Sequence, residues 1–175
     1  MKVHLLDLFK MQFTDMIGHK IAKFLNLPTS FEEVNEYAEN CAFHLIKELS
    51  VFNHDKDIFK LLQELLNDTP YIDTPSILDD TDLAIDKLVR NGKYFVHAIY
   101  GVEHLSFLKL IESSNALSKN QRLNVWYLSG SIILMLIRSL TANENSLIDL
   151  LKALKKEVEI SSNKRPSFFM NLLSF

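Results

Sequence analysis

The sequence predicts an all-α fold, a multi-helix bundle in which two related half-domains share one core. Three observations predict it. Gly and Pro are scarce, 4 of each in 175 residues, which disfavours a turn-rich β protein. Apolar residues recur at helical spacing in segment after segment. The stretch from Ser118 to Leu140 has an uncharged centre, Val125 to Ile137, that as a helix is apolar all round between Ile132 and Ile137. A helix of that kind belongs inside a bundle, covered on every side. It is too short and too interrupted by Ser129, Gly130 and Ser131 for a membrane span, which takes roughly 20 apolar residues.

Composition narrows the class further. Hydrophobic residues make up 47% and charged residues 23%, ordinary globular proportions that exclude wholesale disorder. A formal net charge of -3 supplies no overall field for nucleic acid. With Cys 1 there is no intrachain disulfide, and Cys41 reads as a small core residue. Asp7 interrupts the apolar run that a signal peptide would need, so the expected location is the cytoplasm.

Taken in order, His4 to Phe13 forms a short helix with Leu5, Leu6, Leu8, Phe9 and Phe13 on its apolar face. Thr14 is expected to cap a second helix, Asp15 to Leu25, which Asn26-Leu27-Pro28-Thr29 ends. Ser30 and Glu33 have capping-box spacing. The helix they open carries Val34, Tyr37, Ala38, Cys41, Ala42, Leu45, Ile46 and Leu49 on one face. Asp57 to Leu66 repeats the period, with Asp55 or Asp57 as cap. Residues 68–81, with Pro70 and Pro75, read as a connector. Thr81 caps Asp82 to Arg90, and Asn91-Gly92 is expected to stop that helix, since both residues accept a left-handed backbone. Lys93 to Tyr100 follows, Gly101 breaks it, and Val102 to Glu112 continues. Ser118 and Gln121 form another capping box before the long apolar helix. Glu144 to Val158 is the last helix; Ser161 to Pro166 reads as loop before an apolar end.

The two capped helices look like copies. Leu45-Ile46-Lys47-Glu48-Leu49 parallels Leu136-Ile137-Arg138-Ser139-Leu140, and each precedes a polar turn and a Leu-rich helix. A period of about 90 residues suits a duplicated half-domain better than a solenoid unit. The chain is therefore read as one domain, residues 1–175, with half-repeats at 4–67 and 82–158, the connector between them and a tail at 159–175.

Leu5 to Phe13, running through Ile17-Gly18 and Ile21 to Phe24-Leu25, resembles the opening of the YidB-like bacterial proteins of unknown function. The later order of Asn91-Gly92, Ile99-Tyr100-Gly101, a helix, then Leu117-Ser118 and a long apolar helix resembles them too. The resemblance spans roughly residues 4 to 155. It implies an all-α fold with no established activity, and so brings no catalytic residues with it.

No reaction motif is present, and no catalytic or cofactor-binding residue is assigned. The residues that would hold a metal, were there one, are His44, His97, Glu103 and His104, because bundle cores host His and carboxylate sites. Gly101 falls between His97 and His104, and no HExxH or paired ExxH occurs, so no metal is expected. Asp79, Asp80 and Asp82 lack EF-hand spacing. Lys152, Lys155, Lys156, Lys164 and Arg165 are diluted by Glu157 and Glu159 and read as a solvated face. The tail gathers Phe168, Phe169, Met170, Leu172, Leu173 and Phe175, which either fold back or meet another chain. The functional expectation is a non-catalytic interaction or assembly module. The alternative is a ligand- or metal-binding bundle with its site between the halves.

Overall fold

Among the described residues, every other long helix touches Lys119–Leu140. The computed structural model describes residues 4–17, 21–27, 31–51, 56–69, 82–101 and 117–164. Among them there are seven helices and no strand: α1 Leu5–Met16, α2 Ala22–Phe24, α3 Phe31–Val51, α4 Lys56–Asn67, α5 Asp82–Tyr100, α6 Lys119–Leu140 and α7 Glu144–Lys164. The fold is all-α. Helix α6 packs most extensively on α5 and also on α1, α3, α4 and α7, while α3 lies against α1 and α7. All six residues from Ile132 to Ile137 are buried, because five helices surround a segment with no polar face to spare. Contrary to the sequence reading, α6 does suffice by length and composition to cross a membrane, because Ser129, Gly130 and Ser131 lower its hydropathy too little to rule that out. Even so, 67% of its most apolar window is buried inside the protein. The burial on all sides is what marks it as a core helix.

Local chemistry starts α6 as its sequence demands. Ser118 Oγ accepts from the Gln121 amide at 3.2 Å, and the Ser118 amide donates to Gln121 Oε1 at 2.8 Å. Gln121 and Asn124 also tie down α2, donating to the carbonyls of Asn26 and Leu25 at 2.8 and 2.9 Å. Asn26 has φ 57, and the Leu27 amide reaches back to Ala22 O at 2.8 Å, so this short helix ends in a left-handed turn at the expected place. In α3, all eight residues of the apolar stripe from Val34 to Leu49 are buried.

Four boundaries differ from the sequence reading. Thr14 does not cap a new helix: it lies inside α1, its hydroxyl donating to Lys10 O at 2.9 Å. Burial of Met16 and Ile17 extends the Phe9–Phe13 stripe past it, and that outweighs the capping preference of one Thr. Asp57 lies within α4 and is not its cap; Asp55, Thr81 and Ser30 fall outside the described residues. Asn91-Gly92 does not end a helix, since α5 runs through both to Tyr100. Gly101, with φ 61, provides the stop. Finally, α7 continues to Lys164, so residues 161–164 are helical instead of loop.

Gly92 is needed for closeness. A Cβ at that position would overlap the carbonyl oxygen of Tyr127 and stand 2.7 Å from its carbon and 2.9 Å from the Ser131 amide nitrogen. Opposite it, a Cβ on Gly130 would meet Gly92 O at 3.1 Å and the side chains of Val96 and Phe95 at 3.2 and 3.3 Å. The two glycines thus let α5 and α6 cross with backbone against backbone. Asn91 is buried beside this crossing, its Nδ2 donating to Asp68 O at 3.3 Å.

The arrangement does not establish the duplication. Helices α3 and α6 are similar in length, but α4 has 12 residues where α7 has 21.

Candidate functional site

Polar chemistry inside the bundle gathers where α3, α5 and α6 meet. Cys41 and His44 lie one turn apart on α3, both buried. The Tyr100 hydroxyl, at the end of α5, donates to His44 O at 2.9 Å, and its ring sits 5.4 Å from that of Trp126 on α6. Burial sets the protonation states here. It lowers His44 to about 3, with Lys47 pushing the same way, so the imidazole is neutral at ordinary pH. It pushes the Cys41 thiol well up, against a hydrogen bond from Tyr37. Tyr100 is raised by burial first, then by Glu48 and Cys41. A neutral imidazole, a protonated thiol and a protonated phenol are the states of a stabilised core, and none is poised to exchange a proton near neutrality.

A second polar region is a cleft of about 340 Å³ between the end of α4 and the α6–α7 turn. It is lined by Gln63, Leu66, Asn67, Arg138, Thr141 and Asn143. Helix ends explain most of these groups. Arg138 Nη1 donates to Leu66 O, satisfying a terminal carbonyl of α4. Thr141 Oγ1 donates to Ile137 O at 2.7 Å. Asn143 Oδ1 accepts from the Ser146 amide at 3.0 Å, while Ser146 Oγ accepts from the Asn143 amide at 3.0 Å, a reciprocal cap for α7.

The third feature joins the two ends of the described chain. His4 makes no side-chain cap for α1. Instead Glu157, from α7, accepts the Leu5 amide at 2.9 Å and the Leu6 amide at 2.7 Å, one on each carboxylate oxygen. Burial raises the Glu157 carboxyl, while those two amides and His4 pull it down and Asp7 pushes it up. A carboxylate at a helix N-terminus also meets the positive end of the dipole.

Of the residues marked by sequence for a metal, the structure describes His44 and His97, and it places them in different surroundings. His44 is buried in the core, whereas His97 is exposed on α5 with its ring 6.4 Å from Tyr127. Glu103 and His104 lie outside the described residues, as do Asp79, Asp80 and the apolar tail from Phe168 to Phe175. Among the described residues no group of three or more His, Cys, Asp or Glu side chains is placed to hold a metal ion. Sequence reasoning missed Glu157 and Arg138. In the sequence Glu157 only dilutes a basic face, because its two partners lie 151 and 152 positions away. No protein-family model matches the chain, and no curated protein or solved structure matches it.

Proposed function

We propose that this chain is a non-catalytic helical interaction or assembly module of bacterial type, working in the cytoplasm by binding protein. One observation supports this above others: the fold itself uses the side chains that carry chemistry. Tyr100, Arg138, Asn143 and Glu157 satisfy backbone groups, and Cys41 and His44 are buried in protonation states unsuited to catalysis. The groups left at the surface are charged helix faces and separate apolar residues such as Met11, Tyr94 and Ile160, which suit binding more than turnover. Membership of the YidB-like group, which has no established activity, belongs to the same proposal.

The test is cross-linking through surface lysines in the source cell, followed by identification of what is joined. The expected result is a protein, either another chain or a second copy, in stoichiometric yield. Stoichiometric zinc or iron in untagged purified protein, lost on His97→Ala, would overturn it. The second reading, a ligand-binding bundle with its site between the halves, is favoured only by the cleft between α4 and the α6–α7 turn. A small molecule that copurifies and is lost on Gln63→Ala would support that reading instead.

A further inference from the structure

Two exposed stripes of opposite charge remain after the core and the helix ends are accounted for. On α5, Asp86, Lys87, Arg90, Lys93, Tyr94 and His97 are all exposed, and at 100° per residue they fall within about 120° of the helix circumference. The opposite face of α5, with Ile85, Leu88, Phe95 and Val96, is buried. On α3, Glu32, Glu33 and Glu36 are exposed within the first two turns. Among the described residues none of Glu32, Glu36, Lys87, Arg90 and Lys93 is held in an ion pair.

Each stripe carries like charges at repelling spacings, although Asp86 eases the α5 stripe by standing at i,i+4 from Arg90. Lys87, Arg90 and Lys93 follow one another at i,i+3, and Glu32 and Glu36 stand at i,i+4; like charges at those spacings are mildly destabilising. The α3 acids gain something from the helix N-terminus. The α5 cations gain nothing from a helix terminus, being in mid-helix within a chain of net charge -3, and Asp86 offsets only one of the three. Solvation alone calls for polar residues on that face, without asking that three share one sign. The acidic stripe, about 6 Å from Glu32 to Glu36 at 1.5 Å per residue, is short enough to lie within the basic one, about 9 Å from Lys87 to Lys93.

We infer that the occupant of the α5 stripe is a second copy of this chain, with Glu32, Glu33 and Glu36 of its α3 lying along Lys87, Arg90 and Lys93 and the exposed Tyr94 ring inside the contact. The inference rests on the proposed role in protein binding and names the partner and the surface. Each copy offers one stripe of each sign, so the contact closes as a two-fold dimer if it is reciprocal and extends as a chain if it is not. Complementary charge of this sort sets register and association rate, and weakens as salt screens it.

The experiment is sedimentation of the full chain over a concentration series, at low salt and near 1 M salt, where the screening length falls to about 3 Å. Wild type should associate at low salt and dissociate at high salt. A triple reversal, Lys87→Glu with Arg90→Glu and Lys93→Glu, should weaken association at least about tenfold, and so should Glu32→Lys with Glu36→Lys. Mixing the two reversed proteins should restore it, since each supplies the stripe the other now complements. Circular dichroism checks that each variant is folded; if one is not, the salt response of wild type decides. A wild type that stays monomeric at low salt overturns the inference. So does association that survives both reversals, or that is lost only when residues 166–175 are deleted. A monomeric wild type that is cross-linked in cells to a different protein ends this inference and leaves the proposed function standing, whereas failure to recover any protein, own copy included, ends both.

Discussion

Replacing Gly92 with Ala tests the closest contact in the bundle. The added Cβ would overlap Tyr127 O and stand 2.7 Å from Tyr127 C and 2.9 Å from Ser131 N, all of them backbone atoms that no rotamer change can move. Ordinary contact begins near 3.4 Å, so α5 and α6 must separate by at least the difference along the whole crossing. That loosens the packing of Phe95 and Val96 against Gly130 as well. Overpacking of this kind costs about 1–3 kcal/mol and occasionally more. Ala in mid-helix returns about 1 kcal/mol relative to Gly. With rigid neighbours on every side the cost belongs at or above the top of its range, leaving a net loss of roughly 2 kcal/mol, or about 4–8 °C in Tm for a chain of this size. Gly130→Ala is the control, because its neighbours at 3.1–3.3 Å have only a few tenths of an ångström to give and two of them are side chains. The helix gain should bring that variant to within about 1 kcal/mol of wild type. Urea unfolding followed by circular dichroism measures both. A Gly92→Ala protein as stable as wild type, or less damaged than Gly130→Ala, would refute the reasoning.

Three further outcomes follow from the same structure. Glu157→Gln keeps the shape but leaves one of the Leu5 and Leu6 amides facing an NH2 group; it should cost about 1–3 kcal/mol and speed amide exchange in α1 above all, and unchanged exchange there would show the clasp is not holding the helix. Leu136→Ala should cost about 2–5 kcal/mol in urea unfolding, as for other buried leucines, whereas a loss under about half a kcal/mol would place that side chain at the surface. For His44 the folded-state value near 3 lies below the ordinary 6.5, so between them the unfolded chain binds the proton and stability falls as pH drops from 6.5 toward 3. The slope approaches about 1.4 kcal/mol per pH unit. Glu48, raised by burial, works in the opposite sense, losing stability as pH rises above 4.5. The comparison is therefore wild type against His44→Gln, whose difference in urea midpoint should shift as pH falls; parallel curves would contradict it.

Much of the architecture was legible because its signals are local. Residues 132–137 have no polar face in any orientation, so a covered helix was the sole consistent reading, and burial of all six agrees. The Ser118–Gln121 cap and the α3 stripe are likewise written within a few residues of where they act. Misreadings arose where one residue type serves two physical ends. Gly92 lacks a Cβ whether it ends a helix or admits another backbone, and only the position of Tyr127 and Ser131 decides. Thr14 has the side chain of a cap, yet the buried stripe running past it keeps α1 going. The candidate site was least legible. Glu157 looks like any other acid on a mixed helix face until the fold brings the first amides of α1 to it, and the role of Arg138 depends on a carbonyl 72 positions away. Of the histidines that sequence marks, His44 is buried in the core and His97 is exposed on α5, a difference that depends on which helix face each occupies.

The account depends on α6 being sheltered by the helices around it. Native-state hydrogen exchange, read amide by amide, addresses that directly, because amides that open only on global unfolding mark the most protected part of a fold. Residues 125–137 should exchange slowest in the chain, with protection equal to the global unfolding free energy measured in urea. Exchange there at the rate of the helix ends, or faster than in α1 and α7, would contradict the account.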